Sequence, residues 1–199
     1  MVPRKSKEVR INEITEAAID VFLHKGYEGT TMESIAQKAG VSKGGLYHYF
    51  KSKDMILINA NEKISKKVEE LMETALESSS AREGILYYIE NYIRYWLDNP
   101  RETAFLFLSM AKMLENPDLL KYYKQYTADY ITFFEGAFNM GIQLGEFKPH
   151  NAKASAVTLM AALDGVLGYM LFDEDLVLDE VIQYFEEKFI KSIETEKLS

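Results

Sequence analysis

The chain has 199 residues and a formal net charge of −8; 47% of its residues are hydrophobic and 27% are charged, which suits a soluble globular protein and excludes wholesale disorder. It contains no cysteine, which excludes disulfide scaffolds, cysteine zinc sites, iron–sulfur clusters and thiol catalysis. The charge is uneven: residues 1–55 carry nine Lys or Arg against seven Asp or Glu, whereas the other 144 carry 14 against 24, so the basic end can bind phosphate despite the acidic total.

The first predicted element is a helix over residues 8–25. Its apolar residues recur three or four positions apart, as on one face of a helix. These positions are Ile11, Ile14, Ala18, Val21 and Phe22. Glycine is a common residue just past a helix end, so we expect this helix to end at Gly26.

Two short helices are predicted next. Thr30 followed by Glu33 has the spacing of a capping box, which predicts a helix start. Gly40 ends this helix, and Ser42 can cap a third one that runs from Lys43 to Phe50. Two short helices joined by a tight glycine turn and braced by an earlier helix form a helix-turn-helix, whose second helix enters the DNA major groove.

The outer face of the third helix suits contact with DNA. It carries Lys43, Gly44, Gly45, Tyr47 and His48. Each glycine costs about 1 kcal/mol relative to alanine in a helix, so glycine here favours a backbone that approaches another surface closely. Tyr47 suits a phosphate or a thymine methyl group. The alternative is a small helical cap whose Tyr47 and Tyr49 pack on neighbouring residues.

Three runs in this segment carry a family signature. They are TTMESIA at 30–36, AGVSKGGLYHYF at 39–50 and KSK at 51–53. Together they resemble the tetracycline-repressor (TetR) family of transcriptional regulators. The resemblance implies phosphate contacts from Thr30 or Thr31, Lys43, Tyr47 and Lys53, and base or backbone contacts from Gly44, Gly45 and His48. Many members carry bulkier residues at the two glycine positions, so direct base readout gives way here to DNA shape.

The rest of the chain reads as helices, with no alternating strand segment. The predicted helices run over residues 53–78, 83–97, 100–116, 118–144, 151–172 and 179–194. The fold class is therefore all-α, with nine helices in two domains. Residues 1–52 form the helix-turn-helix DNA-binding domain, and residues 53–199 form a helical ligand-binding and dimerisation domain.

Aromatic residues are concentrated in one window. Of the 25 Phe, Trp and Tyr residues, 14 lie between Tyr87 and Phe138. Tyrosine suits a place where an apolar region meets a polar group, and methionine adds an adaptable surface. The window predicts a cavity for a flat or elongated apolar effector, lined by Tyr92, Trp96, Phe105, Met110, Tyr126, Tyr130, Phe134, Met160 and Asp164. Asp164 could orient the effector or pair across a subunit interface. The alternative is ordinary helix packing, in which Asp164 bonds a nearby tyrosine hydroxyl.

The last two helices predict a homodimer. Both have wide apolar stripes, and the TetR resemblance implies a two-fold dimer through a four-helix bundle of these helices. The predicted interface residues are Leu163, Leu167, Leu171, Ile182, Phe185 and Phe189. Two-fold symmetry implies a roughly palindromic operator. Polar residues interrupt the stretch 154–172, and the first ten residues lack the apolar core of a signal peptide, so we expect a cytoplasmic protein without a membrane partner.

The predicted function is ligand-responsive, DNA-binding transcriptional regulation. We expect a repressor that a small hydrophobic or aromatic effector releases from a palindromic operator, with activation left open. The partners are double-stranded DNA, the effector and a second copy of the chain. No phosphate loop, nucleophile elbow, dinucleotide fingerprint or metal-ligand spacing is present, so no enzyme activity, cofactor or metal is expected. The alternative is a small-molecule-binding helical protein without DNA function, which requires the motif at 30–53 to be coincidental.

Overall fold

The computed structural model describes residues 6–173 and 175–195, which form nine α-helices and a final π-helix. The α-helices are α1 Lys7–Gly29, α2 Met32–Lys38, α3 Lys43–Tyr49, α4 Lys53–Leu76, α5 Ala81–Asp98, α6 Pro100–Glu115, α7 Pro117–Gln143, α8 Ala152–Phe172 and α9 Leu178–Phe185. The π-helix covers Glu186–Lys191. The predicted all-α fold is confirmed. Arg4 and Lys5, which contribute to the basic end, lie outside the described residues.

The first helices differ from the prediction at their ends. Gly26, at φ 69°, breaks the helical geometry at the predicted end of the helix, and a short further helical segment within α1 continues to Gly29. The cap of α2 is Thr31, which forms a capping box with Ser34. The predicted box of Thr30 and Glu33 is wrong because the Thr30 hydroxyl donates instead to the Gly26 carbonyl oxygen, at 2.6 Å.

The start of α9 also differs from the prediction. Its cap position is Val177, which makes no side-chain capping bond. Asp179, the first residue of the predicted last helix, lies inside α9, and its Oδ1 accepts a hydrogen bond from Arg94 Nη2 of α5 at 3.0 Å. The carboxylate is therefore engaged by a neighbouring helix and is not available to cap its own.

The chain divides into two compact units. The head comprises the described residues up to Lys66 together with Ala104–Tyr123, and the body comprises Lys67–Thr103 together with the described residues from Lys124 onward. Helices α4, α6 and α7 each contribute residues to both units. The domain boundary at 52/53 remains a prediction.

The core of the head contains a row of three aromatic rings. Phe22 of α1 stacks on Tyr27 with ring centroids 5.7 Å apart, and it meets the Phe105 ring of α6 at 6.1 Å. Phe22 and Phe105 have no exposed surface. The segment 104–123 is thus packed into the head as part of its core.

Helix α8 is long and apolar enough to cross a membrane by length and composition, and it is the one such helix found in the described part of the chain. In the isolated chain, 22% of its most apolar window is buried. Length and composition alone are weak evidence, because the core helix of a soluble protein passes the same test.

Candidate DNA-binding and effector sites

Helix α3 has an exposed, hydrophilic outer face and a buried inner face. The Ser42 side chain caps the helix by accepting a hydrogen bond from the Gly45 amide at 3.0 Å. Leu46 and Phe50 anchor the inner side, with 0% and 5% exposure. The predicted contact residues Lys43, Gly44, Tyr47 and His48 are all exposed, and Gly45 is half-buried.

The two glycines of α3 differ in their surroundings. A Cβ atom at Gly44 would meet nothing within 4 Å, so no contact inside the chain requires glycine there. A Cβ atom at Gly45 would lie 3.1 Å from Ser42 Oγ, so that glycine has a local reason. No contact within the chain therefore explains glycine at position 44. The close approach of another molecule to the exposed backbone would explain it.

The threonine pair is split between the surface and the interior. Thr31 is exposed, whereas Thr30 is 2% exposed and donates its hydroxyl to backbone carbonyl oxygens of α1. Of the two alternatives that the resemblance implies, only Thr31 has a surface that a phosphate can reach.

Lys53 lies half-buried at the junction of α1 and α4. Its Nζ donates to the carbonyl oxygens of Tyr27 and Thr30, at 2.8 and 3.2 Å, and lies 4.1 Å from the centroid of the Tyr27 ring. Lys53 therefore satisfies carbonyl groups at the end of α1. Lys43 is more exposed, and its Nζ lies 3.8 Å from Glu33 Oε2.

Lys112 holds α6 on the same tyrosine. Its Nζ lies 4.8 Å from the centroid of the Tyr27 ring and forms ion pairs with Glu28 and Glu115. The hydrogen bond to Glu28 raises the pKa of Lys112 and lowers the pKa of Glu28. Phe105 and Met110, two predicted effector contacts, lie in this part of the head, whereas the other predicted contacts lie in the body.

In the body, α5 carries a stripe of buried aromatic rings. Tyr88 stacks on Tyr92 with centroids 5.4 Å apart, and Tyr92 meets Trp96 edge-on at 6.1 Å. Phe134 of α7 packs edge-on against Tyr88 at 4.8 Å. All four residues are 4% exposed or less.

Hydroxyl groups and one carboxyl group converge beside this stripe. The Tyr92 hydroxyl donates to Asp164 Oδ1 at 3.0 Å, and the Tyr126 hydroxyl donates to the Tyr130 hydroxyl at 2.9 Å. The Tyr88 hydroxyl is buried and has no hydrogen-bond partner among the described residues, and the same holds for Trp96 Nε1. We call Tyr88, Tyr92, Tyr126, Tyr130 and Asp164 the polar cluster.

The pKa values in the polar cluster reflect its burial. Burial raises the pKa of Asp164, and the Tyr92 hydrogen bond opposes that rise. Burial also raises the pKa of Tyr88, Tyr92 and Tyr130, and the nearby Asp164 charge raises the first two further. The tyrosines are therefore neutral donors, and burial makes the charged form of Asp164 less favourable than it is in water.

An apolar crevice lies on the far side of Phe133 from Tyr88 of the polar cluster. It has a volume of about 270 Å³ and lies between the end of α4, the start of α5 and α7. Ile85 and Phe133 line it, and the Phe133 ring meets the Tyr88 ring at 6.3 Å. Leu76 and Met140 line it as well and are 59% and 46% exposed. Known ligand sites span about 300–1,000 Å³, so the crevice fits only a slender apolar group.

The predicted dimer residues divide between core and surface. Leu163 and Leu167 are 0% and 1% exposed within one chain, so they have no surface left for a second copy. Phe185 is almost buried, and Ile182, Phe189 and Leu171 retain some exposure. The large exposed apolar residues of this region are Tyr169, Leu171, Phe172, Leu176, Val177 and Tyr184. A groove of about 610 Å³ runs between α8 and α9 beside Tyr169 and Tyr184.

The predicted site residues did not include Tyr88 or the exposed aromatic residues of α8 and α9. Tyr88 precedes Tyr92 by four residues, so it shares a helix face with a predicted contact, and that spacing could have identified it. Met160 is half-buried. No group of three or more His, Asp or Glu residues that could hold a metal ion occurs at 6–173 or 175–195.

A helix-turn-helix with an exposed outer face on α3, followed by a helical body, is the architecture of a class of DNA-binding regulators. The pattern of "Bacterial regulatory proteins, tetR family" matches residues 14–60, and that of "QacR-like protein, C-terminal region" matches residues 63–195. The chain belongs to the TetR family. The prediction of a TetR-family, ligand-responsive, DNA-binding transcriptional regulator is thereby confirmed.

Relatives and solved structures agree with this membership. The fatty acid metabolism regulator protein of Bacillus subtilis (strain 168) is 28% identical over 145 residues, which cover 72% of this chain and 74% of that protein. A transcriptional regulator from Pseudomonas aeruginosa PAO1 has a TM-score of 0.86 at 19% identity, covering 95% of this chain and 92% of that one. FadR from Bacillus subtilis in complex with stearoyl-CoA has a TM-score of 0.75 at 24% identity, covering 92% and 98%. At these identities the two structures establish the fold.

Proposed function

We propose that the chain is a dimeric, cytoplasmic repressor that leaves a palindromic operator when an acyl-chain effector binds the body. The observation that carries this proposal is the exposed outer face of α3, with its bare Gly44 backbone, in a chain of the TetR family. The alternative without DNA function is disfavoured, because the N-terminal family match covers residues 14–60. No catalytic role is proposed.

The proposed DNA contacts follow from exposure. Thr31, Lys43, Tyr47 and His48 can reach phosphates or base edges, and Gly44 with Gly45 lets the backbone come close. A gel shift with the DNA upstream of the protein's own gene tests this proposal. Lys43→Ala should lower the salt slope of binding by about one unit. Lys121→Ala, an exposed lysine on α7, is the matched control and should leave the slope unchanged. An unshifted operator, or equal slopes, would contradict the contact assignment.

The proposed dimer surface is the exposed side of α8 and α9 with the groove between them. Exposed apolar patches of this kind mark protein interfaces. Tyr184 and Leu114 are both 62% exposed, but only Tyr184 borders the groove. We expect Tyr184→Glu to yield monomers in sedimentation experiments and to weaken operator binding. Leu114→Glu, on α6, should stay dimeric. A dimeric Tyr184→Glu variant would place the interface elsewhere.

The effector class rests on the relatives and on the crevice. One relative is a fatty acid metabolism regulator, and one similar structure holds stearoyl-CoA. The slender apolar crevice beside the aromatic stripe fits an alkyl chain better than a broad planar molecule. The remaining predicted contacts, Tyr92, Trp96, Tyr126, Tyr130, Phe134, Met160 and Asp164, are proposed as its surroundings. A long-chain acyl thioester should release the operator in the gel shift, and its failure at saturating concentration would reject this class.

The proposed switch uses the helices that belong to both units. Since α4, α6 and α7 each run from one unit into the other, a rearrangement in the body can change the geometry of the head without a flexible linker. The coupling is reciprocal, so operator DNA must weaken effector binding by the same factor. A near-complete switch requires about 10⁴-fold differential affinity. Calorimetric titration of the effector with and without operator DNA measures this factor.

A further inference from the structure

The polar cluster contains a buried carboxyl group without a cation. Among the described residues, the hydrogen-bond partner of Asp164 is the Tyr92 hydroxyl, and the causes of its pKa shift include no lysine or arginine. A carboxylate can accept about four hydrogen bonds. Asp164 therefore retains capacity to accept from a further donor.

The same cluster contains an unused hydroxyl. The Tyr88 side chain has 0% exposure, and its hydroxyl is unpartnered among the described residues. Its ring stacks on the Tyr92 ring at 5.4 Å, and the Tyr92 hydroxyl donates to Asp164 Oδ1 at 3.0 Å, so Tyr88 and Asp164 flank the same tyrosine. Buried polar groups are rarely left without a partner, and an exception calls for an explanation such as a bound molecule. In the same region, the Tyr88 hydroxyl can thus donate or accept a hydrogen bond, and Asp164 can accept one.

The surroundings determine which charge such a molecule can carry. Two carboxyl groups at a shared buried site cannot easily both be charged, so a ligand carboxylate beside Asp164 could bind only if one of the two groups held a proton. An alcohol can donate to Asp164 and accept from the Tyr88 hydroxyl. A thioester or ester carbonyl group can accept from Tyr88 without adding charge.

We propose that the polar cluster selects an effector whose polar group is an uncharged oxygen function, and that Asp164 rejects free carboxylates. This inference rests on the proposed function, in which an alkyl-chain effector binds the body. It goes beyond that function because it separates alcohols and acyl esters from the free fatty acid of the same chain length. Asp164 is thus a specificity determinant, and Tyr88 is the group that holds the ligand oxygen.

The test compares ligands with identical chains on the full-length protein. Trp96, the single tryptophan, lies beside Tyr92, so its fluorescence reports binding without DNA. We expect wild-type protein to bind 1-dodecanol at least about tenfold more tightly than dodecanoate. Asp164→Asn, which keeps the shape and removes the charge, should bring the two affinities within about threefold by admitting dodecanoate. Asp129→Asn, an exposed carboxylate on α7, should preserve the wild-type preference.

A second variant keeps the inference testable if Asp164→Asn does not fold. Tyr88→Phe should weaken 1-dodecanol binding by about tenfold and leave the rejection of dodecanoate intact. Equal affinity of wild-type protein for the two ligands, or an unchanged preference in Asp164→Asn, overturns the inference and leaves the proposed function standing. If no dodecyl ligand or acyl thioester binds any variant, the proposed effector class itself fails, and the inference fails with it.

Discussion

The head and the body differ in how completely their buried polar groups are hydrogen-bonded. In the head, the interior side chains of Thr15, Thr30 and Ser109 are all hydrogen-bonded: Thr15 and Ser109 donate to Asn59 and Asn61 at 2.7 and 2.8 Å, and Thr30 donates to Gly26. The buried polar side-chain atoms without a partner at 6–173 and 175–195 all lie in the body. They are the Tyr88 hydroxyl, Trp96 Nε1 and His150 Nε2.

This difference matches the two tasks. A satisfied hydrogen-bond network fixes one arrangement of side chains, which suits a head that must present α3 to DNA in a constant shape. Unused hydrogen-bonding capacity in the body lowers the stability of the empty protein, and a ligand that satisfies it regains that loss on binding. The variants below break or sharpen this comparison, from the largest expected effect to the smallest.

The largest effect is expected from Phe105, a predicted effector contact that the structure places in the core of the head. Phe105→Ala should lower the free energy of unfolding by about 3–5 kcal/mol, because it leaves a cavity against Phe22. Operator binding should fall with the folded fraction, and affinity for the acyl ligand should change little in the protein that remains folded. Urea unfolding followed by circular dichroism measures the stability loss.

Phe107 provides the matched control on the same helix. It is 37% exposed, and Phe107→Ala should change stability by no more than about 0.5 kcal/mol. If Phe105→Ala instead kept wild-type stability and lost ligand affinity, that result would support the original prediction of a ligand contact. It would also contradict the assignment of Phe105 to the core of the head.

A smaller effect is expected from Lys53. Lys53→Met keeps the alkyl stem but loses two charged hydrogen bonds and the cation–π contact with Tyr27, so the free energy of unfolding should fall by about 2 kcal/mol. Lys43→Met should show the reverse pattern, with near wild-type stability and a salt slope reduced by about one unit. If Lys53→Met instead reduced the salt slope of operator binding, that result would support the phosphate contact that the TetR resemblance implies for Lys53.

Two tyrosine variants of the body compare a hydroxyl that donates a hydrogen bond with one that has no hydrogen-bond partner among the described residues. Tyr92→Phe loses the hydrogen bond to Asp164 and should reduce the stability of the empty protein by about 1.5 kcal/mol. Tyr88→Phe removes a buried hydroxyl without a partner and should leave stability unchanged or raise it by up to about 1 kcal/mol. Equal losses in the two variants would mean that the Tyr88 hydroxyl is satisfied in solution, which would remove the contrast between head and body.

The sequence predicted features that depend on short-range patterns. Helical periodicity, glycine stops and the serine cap at Ser42 located α1 to α3, and the signature at 30–53 identified the family. The sequence could not show which of two adjacent threonines is buried, because that depends on whether Thr30 reaches the Gly26 carbonyl oxygen across the end of α1. The role of Lys53 depends likewise on carbonyl groups 23 and 26 residues away.

The composition of the body predicted an aromatic interior but not its division. Phe105 lies in the same aromatic window as Tyr92, yet it packs in the head, because the segment 104–123 folds back onto α1. Leu163 and Leu167 belong to an apolar stripe that is indistinguishable in sequence from an interface stripe. Their burial inside one chain follows from which face of α8 meets the rest of the body. These assignments require long-range packing that helical periodicity does not encode.

The smallest effect concerns the charge on Asp164 and its dependence on pH. Burial raises the pKa of Asp164 in the folded protein above its ordinary value of 3.8, so folding favours the protonated carboxyl group. Its stabilising contribution is therefore complete below the unfolded-state pKa and is lost as pH rises through the folded-state pKa. Asn mimics the protonated form at every pH. The difference in unfolding free energy, wild type minus Asp164→Asn, should thus decrease as pH rises and then level off. Adding Tyr92→Phe removes the hydrogen bond that lowers this pKa, so in that background the decrease should extend to higher pH. If the difference in unfolding free energy instead rose with pH, an unrecognised cation would be holding Asp164 charged. The proposal that Asp164 excludes free carboxylates would then lose its basis.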